Sequence, residues 1–161
     1  MNTLEHFAEM IMKGAADVGS HFDKADDDWA SIIHIEDGDG QITVGLVDGQ
    51  FFNSEDRKEM LVSRIGAQLE QMGAHKVGFI NSTWMKMISK EEAESGNYLR
   101  PSEDVANRIE GLTLVVMDST QALAFMAEIK RDGTNPPTLG EWKAEEKNFE
   151  SRWLDWQTVL S

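Results

Sequence analysis

Leu4, Phe7, Ile11, Ala15, Val18 and Phe22 recur at steps of three and four residues, so one face of the first twenty residues is apolar. Glu5, Glu9, Lys13 and Asp17 fall mostly off that face, and the spacing predicts an amphipathic helix ending near Gly19-Ser20. Asp23 to Asp28 then reads as an acidic connector. From Trp29 to Glu36 and from Gln41 to Val47 the period changes to two, with Ile42, Val44 and Leu46 on one face of the second run. Asp37-Gly38-Asp39-Gly40 lies between the runs, and Asp-Gly steps tolerate the positive φ of a tight turn, so the pair predicts a β-hairpin.

The next stripe, Leu61, Ile65, Leu69 and Met72, predicts the clearest helix of the chain. Asn53 or Ser54 caps it, Glu55 and Asp56 suit its positive first turn, and Gly73 suits its end. Lys76 to Ile88 reads as a long strand and Lys90 to Asn107 as a polar, irregular stretch, with Pro101 unfit for a central strand. Leu112 to Met117 and Ala122 to Ile129 predict two more strands, followed by a loop over 131–140. In the tail, Trp142, Phe149, Trp153, Trp156 and Leu160 are spaced as one helical face, which predicts a helix over 142–160 buried on its own sheet or across a twofold dimer.

These elements run in the order αββαβββα. The expected architecture is a single α+β domain over 1–161, with a mainly antiparallel five-stranded sheet and helices packed on it. Ile33, Ile35, Ile42, Val44, Leu46, Ile65, Leu69, Val77, Phe79, Leu114, Val116, Phe125 and Trp153 are the expected core. The element order is similar to that of roadblock and longin-type small domains, a likeness of order alone that implies no function.

Charge changes the functional picture more than the fold. The chain carries 29 acidic and 15 basic residues, a net charge of −14. Residues 1–40 hold ten acids against two lysines, 41–100 eight acids against seven bases, and 101–161 eleven acids against six bases. An acidic surface with no basic stripe argues against direct nucleic-acid binding and for a solvated face or a basic protein partner. There is no cysteine, which excludes disulfides, thiolate metal sites and cysteine nucleophiles. No apolar run is long enough to cross a membrane and Met1 to Met12 has no signal-peptide pattern, so the expectation is a cytoplasmic protein without membrane attachment.

Candidate chemistry is sparse. Glu36 to Ile42 is similar to part of an EF-hand calcium loop, but its first and twelfth ligand positions are Ile35 and Leu46, so a hairpin turn is the expectation. His21 with Asp23, Asp26, Asp27 and Asp28 offers ligand types for a divalent cation, whereas a solvated connector is the simpler reading. His34 and Glu36 share a strand face, as a base and its orienting carboxylate would. His6, His21, His34 and His75 have no metal-ligand spacing, and neither a phosphate-binding glycine loop nor a nucleophile elbow is present, so no metal, cofactor or catalytic residue is assigned.

The most distinctive polar segment is Arg100-Pro101-Ser102-Glu103-Asp104, followed by Arg108-Ile109-Glu110 and preceded by Trp84-Met85. Over residues 75–132 this arrangement resembles uncharacterised bacterial and phage proteins. The resemblance implies a phage or mobile-element origin and carries no activity. Arg100, Ser102, Arg108 and Glu110 are the candidate ligand-binding residues, since forked guanidinium groups bind carboxylate or phosphate. The alternative is an internal network ordering the loop. Trp142, Phe149, Trp153 and Trp156 are the candidate interface residues, as Trp serves both cores and association surfaces.

The sequence thus points to a non-catalytic cytoplasmic interaction or regulatory protein with an unidentified protein partner or a homodimeric state. Two readings compete with it. One is a small enzyme acting on a phosphate- or carboxylate-bearing ligand at the 100–110 loop. The other is an acidic inhibitor mimicking nucleic acid.

Overall fold

The computed structural model describes residues 3–86, 88–99, 103–145 and 152–161. Helix α1 spans Thr3–Ser20 and buries Leu4, Phe7, Ile11 and Ala15 of the stripe read from the sequence, with Ala8 beside them, whereas Val18 near its end is exposed. After the acidic connector, Trp29 folds back under the end of α1. Its indole N–H donates to the Ala15 carbonyl at 2.8 Å, and the Phe22 ring meets it edge-on.

Strands β1 (Ile32–Asp37) and β2 (Ile42–Leu46) form the hairpin. The Asp37 carboxylate accepts from the backbone N–H of Asp39 and of Gln41, at 2.9 and 3.0 Å, so it stands where a turn needs an acceptor. Helix α2 spans Glu55–Met72. The Ser54 hydroxyl accepts from the Arg57 N–H, and Gly73 ends the helix in the left-handed region at φ 63°. That cap turns the chain directly into β3 (Ala74–Met85), the long central strand. Strands β4 (Ile109–Met117) and β5 (Ala122–Lys130) follow as a second hairpin.

The architecture is α+β with an antiparallel sheet, but the sheet differs from the five-stranded expectation. Among the described residues seven strands join it, in the order β2-β1-β3-β4-β5-β6. Strand β6 (Thr138–Leu139) and strand β7 (Lys143–Ala144) both pair with β5, at different points along it. Two-residue strands are too short to show alternation, which is why the sequence does not announce them. Helix α3 (Lys90–Ser95) also interrupts the stretch read as irregular. A reciprocal capping box between Ser89 and Glu92 holds it, a local signal that the sequence did contain.

The sheet separates two apolar layers. On one face α1 and Trp29 pack with Ile80, Leu112, Leu114, Val116 and Ile129. On the other, α2 and a 3-10 helix over Arg152–Val159 pack with Ile33, Ile35, Val77, Phe79, Val115 and Met117. Gly78 of β3 makes the first layer possible. A Cβ there would lie 2.5 Å from Ile11 Cδ1 and 3.2 Å from Phe7 Cε2, so only a glycine lets α1 approach this closely.

The tail departs from the single helix expected over 142–160. Trp142 precedes β7 and packs into the α1 layer. Trp153 and Trp156 lie in the 3-10 helix and pack into the α2 layer. The indoles spaced as one helical face therefore serve opposite faces of the sheet. Pairing of Lys143 with Met126 at the edge of the sheet separates Trp142 from the others. Phe149 lies outside the described residues.

Candidate functional site

Strand β2 is the sheet's outer strand on the side away from β6 and β7, and among the described residues it pairs only with β1. The ladder sets Ile32 opposite Leu46, His34 opposite Val44, and Glu36 opposite Ile42. The same β1 residues face Ile80, Gly78 and Lys76 of β3, so all of these side chains share the α1 face. Helix α1, however, packs mainly over β3 and β4. Ile42, Val44 and Leu46 were expected in the core and are instead 41, 57 and 78% exposed. The alternation placed them correctly on one face, but coverage of that face stops short of the edge.

Between α1 and β1 runs a groove of about 250 Å³, lined by Gly14, Val18, Trp29, Ile32, His34 and Ile80, among others. Its walls are mostly hydrocarbon, and Val18 is itself 41% exposed. His34 sits between the groove and Val44. Burial without a compensating charge pushes its imidazole pKa below the ordinary value, and its Nδ1 is buried without a hydrogen-bond partner among the described residues. Glu36, on the same strand face, is paired to Lys76 rather than to His34. His34 and Glu36 therefore do not form a base and its orienter.

The polar loop is engaged with its neighbours. The Arg108 guanidinium lies over the Trp84 ring, 3.8 Å from its centroid, in cation–π contact. Glu110 accepts from Arg131 Nε at 2.5 Å, and Lys86 pairs with Asp104 at 2.6 Å. Arg108 and Glu110 thus each contact a neighbouring side chain, Trp84 and Arg131 respectively. Arg100 and Ser102 lie outside the described residues.

Arg131 is the residue that sequence reasoning missed. Beyond Glu110 it pairs with Asp28 at 3.2 Å and donates to the carbonyls of Ala25 and Asp27, at 3.1 and 2.9 Å. Hydrogen bonding to Glu110 raises its already high pKa. The acidic connector is therefore tied to the sheet by one cation from β5's far end, a contact across more than a hundred residues that no local pattern announces. Within the connector, Asp27 accepts from the backbone of Asp23 and Lys24, which holds its carboxyl below the usual range. Among the described residues no group of three or more His, Asp or Glu side chains is arranged to hold a metal ion.

A second concavity lies on the other side of the molecule, where Arg57 and Arg64 of α2 flank Met60 beside Asp48 and Phe51. Arg64 stacks on the Phe51 ring at 5.8 Å and Arg57 reaches the Gln50 carbonyl at 3.5 Å, so both cations already contact the 3-10 turn Gly49–Phe52.

Trp153 stacks on Phe79 at 4.7 Å and Trp156 is buried to 1% exposure. Trp142 is half-buried. No helix among the described residues is long and apolar enough to cross a membrane. What the β2 edge offers chemically is a row of backbone donors and acceptors bordered by apolar side chains, which suits main-chain pairing with another strand. One signal for it was present in the sequence. Ile42-Thr43-Val44-Gly45-Leu46 contains no Lys, Glu or Pro, the residues that ordinarily protect an edge. No protein-family model matches this chain, and neither a curated protein nor a solved structure is similar to it.

Proposed function

We propose that this is a non-catalytic cytoplasmic interaction protein of regulatory type that engages its partner by strand addition to β2. The observation that carries this reading is the uncharged outer strand whose Ile42, Val44 and Leu46 are exposed beside the apolar groove under α1. Burying them on association is favourable at about 25 cal/mol per Å² of apolar surface, and main-chain bonds fix the register of the incoming strand. The engagement of Arg108 by Trp84 and of Glu110 by Arg131 supports the structural rather than the enzymatic reading of the polar loop.

A photo-cross-linking residue placed at position 44, compared with one at the exposed helix position Ser63, tests the proposal in the native host. Cross-links concentrated at position 44 and joining it to one protein species, this chain included, are the expected result. Equal, diffuse labelling at both positions would overturn it.

A further inference from the structure

Resting on that reading, we infer that the strand added to β2 is β2 of a second copy of this chain, paired antiparallel about a twofold axis through Val44. The first argument is the parity of the hydrogen bonds. In an antiparallel ladder, alternate residues direct both backbone groups toward the same neighbour. The Val47 N–H donates to the Ser31 carbonyl at 2.9 Å, and the Asp37 N–H to the Gln41 carbonyl at 3.0 Å. Gln41 and Val47 therefore face β1, and so do Thr43 and Gly45 between them. Ile42, Val44 and Leu46 direct their N–H and C=O groups away from the sheet. The residues that present free main-chain groups are the same ones whose apolar side chains are exposed.

The second argument is self-complementarity. Reversed upon itself, Ile42-Thr43-Val44-Gly45-Leu46 sets Ile42 opposite Leu46, Thr43 opposite Gly45, and Val44 opposite Val44. This register places every outward-facing residue opposite another outward-facing residue, so each opposed pair exchanges both of its bonds. A shift by one residue opposes outward groups to inward ones and forms none. A shift by two leaves one outward residue of each strand unmatched. The apolar side chains of both copies then lie side by side on the α1 face, in cross-strand contact. An isologous interface requires a patch complementary to itself, and this strand meets that requirement without a charge anywhere on it.

The flanks predict an unusual salt response. The Asp37 to Gly40 turn of one copy comes beside Asp48 of the other, so like charges meet at both ends of the paired strands. Salt screens them, and association strengthens as ionic strength rises. A basic peptide held by the acidic surface would respond in the opposite sense.

Sedimentation velocity of the intact chain over a concentration series, at low and high salt, is the first measurement. The expected result is a reversible monomer–dimer equilibrium favoured by salt. Val44→Lys sets two like charges on the axis and is expected to weaken association about tenfold or more. Val44→Glu should do the same, and a mixture of the two variants should recover a heterodimer. Because Val44 is exposed in the single chain, both variants should keep the melting temperature that the parent shows when dilute and monomeric, which separates loss of pairing from loss of folding. Since the chain has no cysteine, Val44→Cys adds its only thiol. Opposed hydrogen-bonded residues lie about 5.5 Å apart at Cα, within disulfide range, so this variant should oxidise to a covalent dimer. Ile42→Cys alone should not, whereas Ile42→Cys mixed with Leu46→Cys should. A dimer insensitive to Val44→Lys would overturn the inference. So would a chain monomeric at every concentration and salt, and in that case cross-links from position 44 to another protein would leave strand addition itself standing.

Discussion

The indole N–H of Trp156 donates to the backbone carbonyl of Val62 at 2.9 Å, joining the 3-10 helix Arg152–Val159 to the middle of α2. Arg152 reinforces the junction by pairing with Glu55 at 2.9 Å. Truncation of a buried aromatic costs about 3–5 kcal/mol, against a total stability of about 5–15 kcal/mol for a typical domain. Trp156→Ala is therefore expected to lower the melting temperature severely or to abolish folding. Trp156→Phe keeps most of the bulk and removes the donor, and should cost about 1–3 kcal/mol. Thermal melts of both variants check the order, and an unchanged melt for Trp156→Ala would contradict the packing described.

Gly78→Ala is expected to destabilise although alanine is small. The new methyl would meet Ile11 Cδ1 at 2.5 Å and Val116 Cγ1 at 3.1 Å. Relief requires α1 to lift from the sheet or Ile11 to change rotamer, at a cost of about 1–3 kcal/mol. Combining Gly78→Ala with Ile11→Val should recover part of the loss if the contact is the cause. Urea denaturation of the single and double variants reads this, and strictly additive losses would argue against the contact.

Arg131→Gln removes the charge that joins Asp28 and Glu110 and disturbs the bonds to Ala25 and Asp27. Charge-assisted bonds at partly exposed positions contribute about 1–3 kcal/mol together, or roughly 2–12 °C in melting temperature for a chain of this size. Release of the connector should also raise amide exchange over residues 23–28 more than over β3. Uniform exchange in both segments would show that Arg131 does not anchor the connector.

His34 makes stability depend on pH. Burial lowers its folded pKa below the ordinary value near 6.5, so between those two values the unfolded chain binds the proton and the folded chain does not. Its contribution is present in full above about pH 6.5 and is lost as pH falls from there toward the folded pKa. His34→Gln should flatten the fall in melting temperature as pH drops below about 6.5. Asp104 and Asp132 titrate lower, their carboxyls held down by Lys86 and by the backbone of Asn135 respectively, so their effect is confined to more acid solution. A slope unchanged in His34→Gln would refute the assignment.

Leu46→Lys is expected to leave the unfolding free energy of the dilute, monomeric chain within about 0.5 kcal/mol of the parent's, because Leu46 is 78% exposed on an outer strand. Leu69→Lys, in the α2 layer where Leu69 is fully buried, should not fold. The pair tests by circular dichroism and thermal melting whether the alternating strand lies outside the core. A large loss for Leu46→Lys would place it inside.

Local chemistry determined every element whose signal lies within a few residues. Ser54 and Gly73 bound α2, the Asp37 carboxylate and the left-handed Gly40 set the hairpin, and the stripe from Leu4 to Ala15 marks the buried face of α1. The alternation from Ile42 to Leu46 likewise settled that these side chains share one face. The tertiary structure alone decided which faces are covered. α1 packs mainly over β3 and β4 while the β2 residues stay exposed, and the edge pairing of β7 sends Trp142 to one layer and Trp153 and Trp156 to the other. The Arg131 anchor belongs with these, since its partners are set by contacts between distant segments. Periodicity encodes the orientation of a side chain relative to its own backbone, whereas burial depends on which other segment arrives above it. Only the assembled sheet supplies that second quantity.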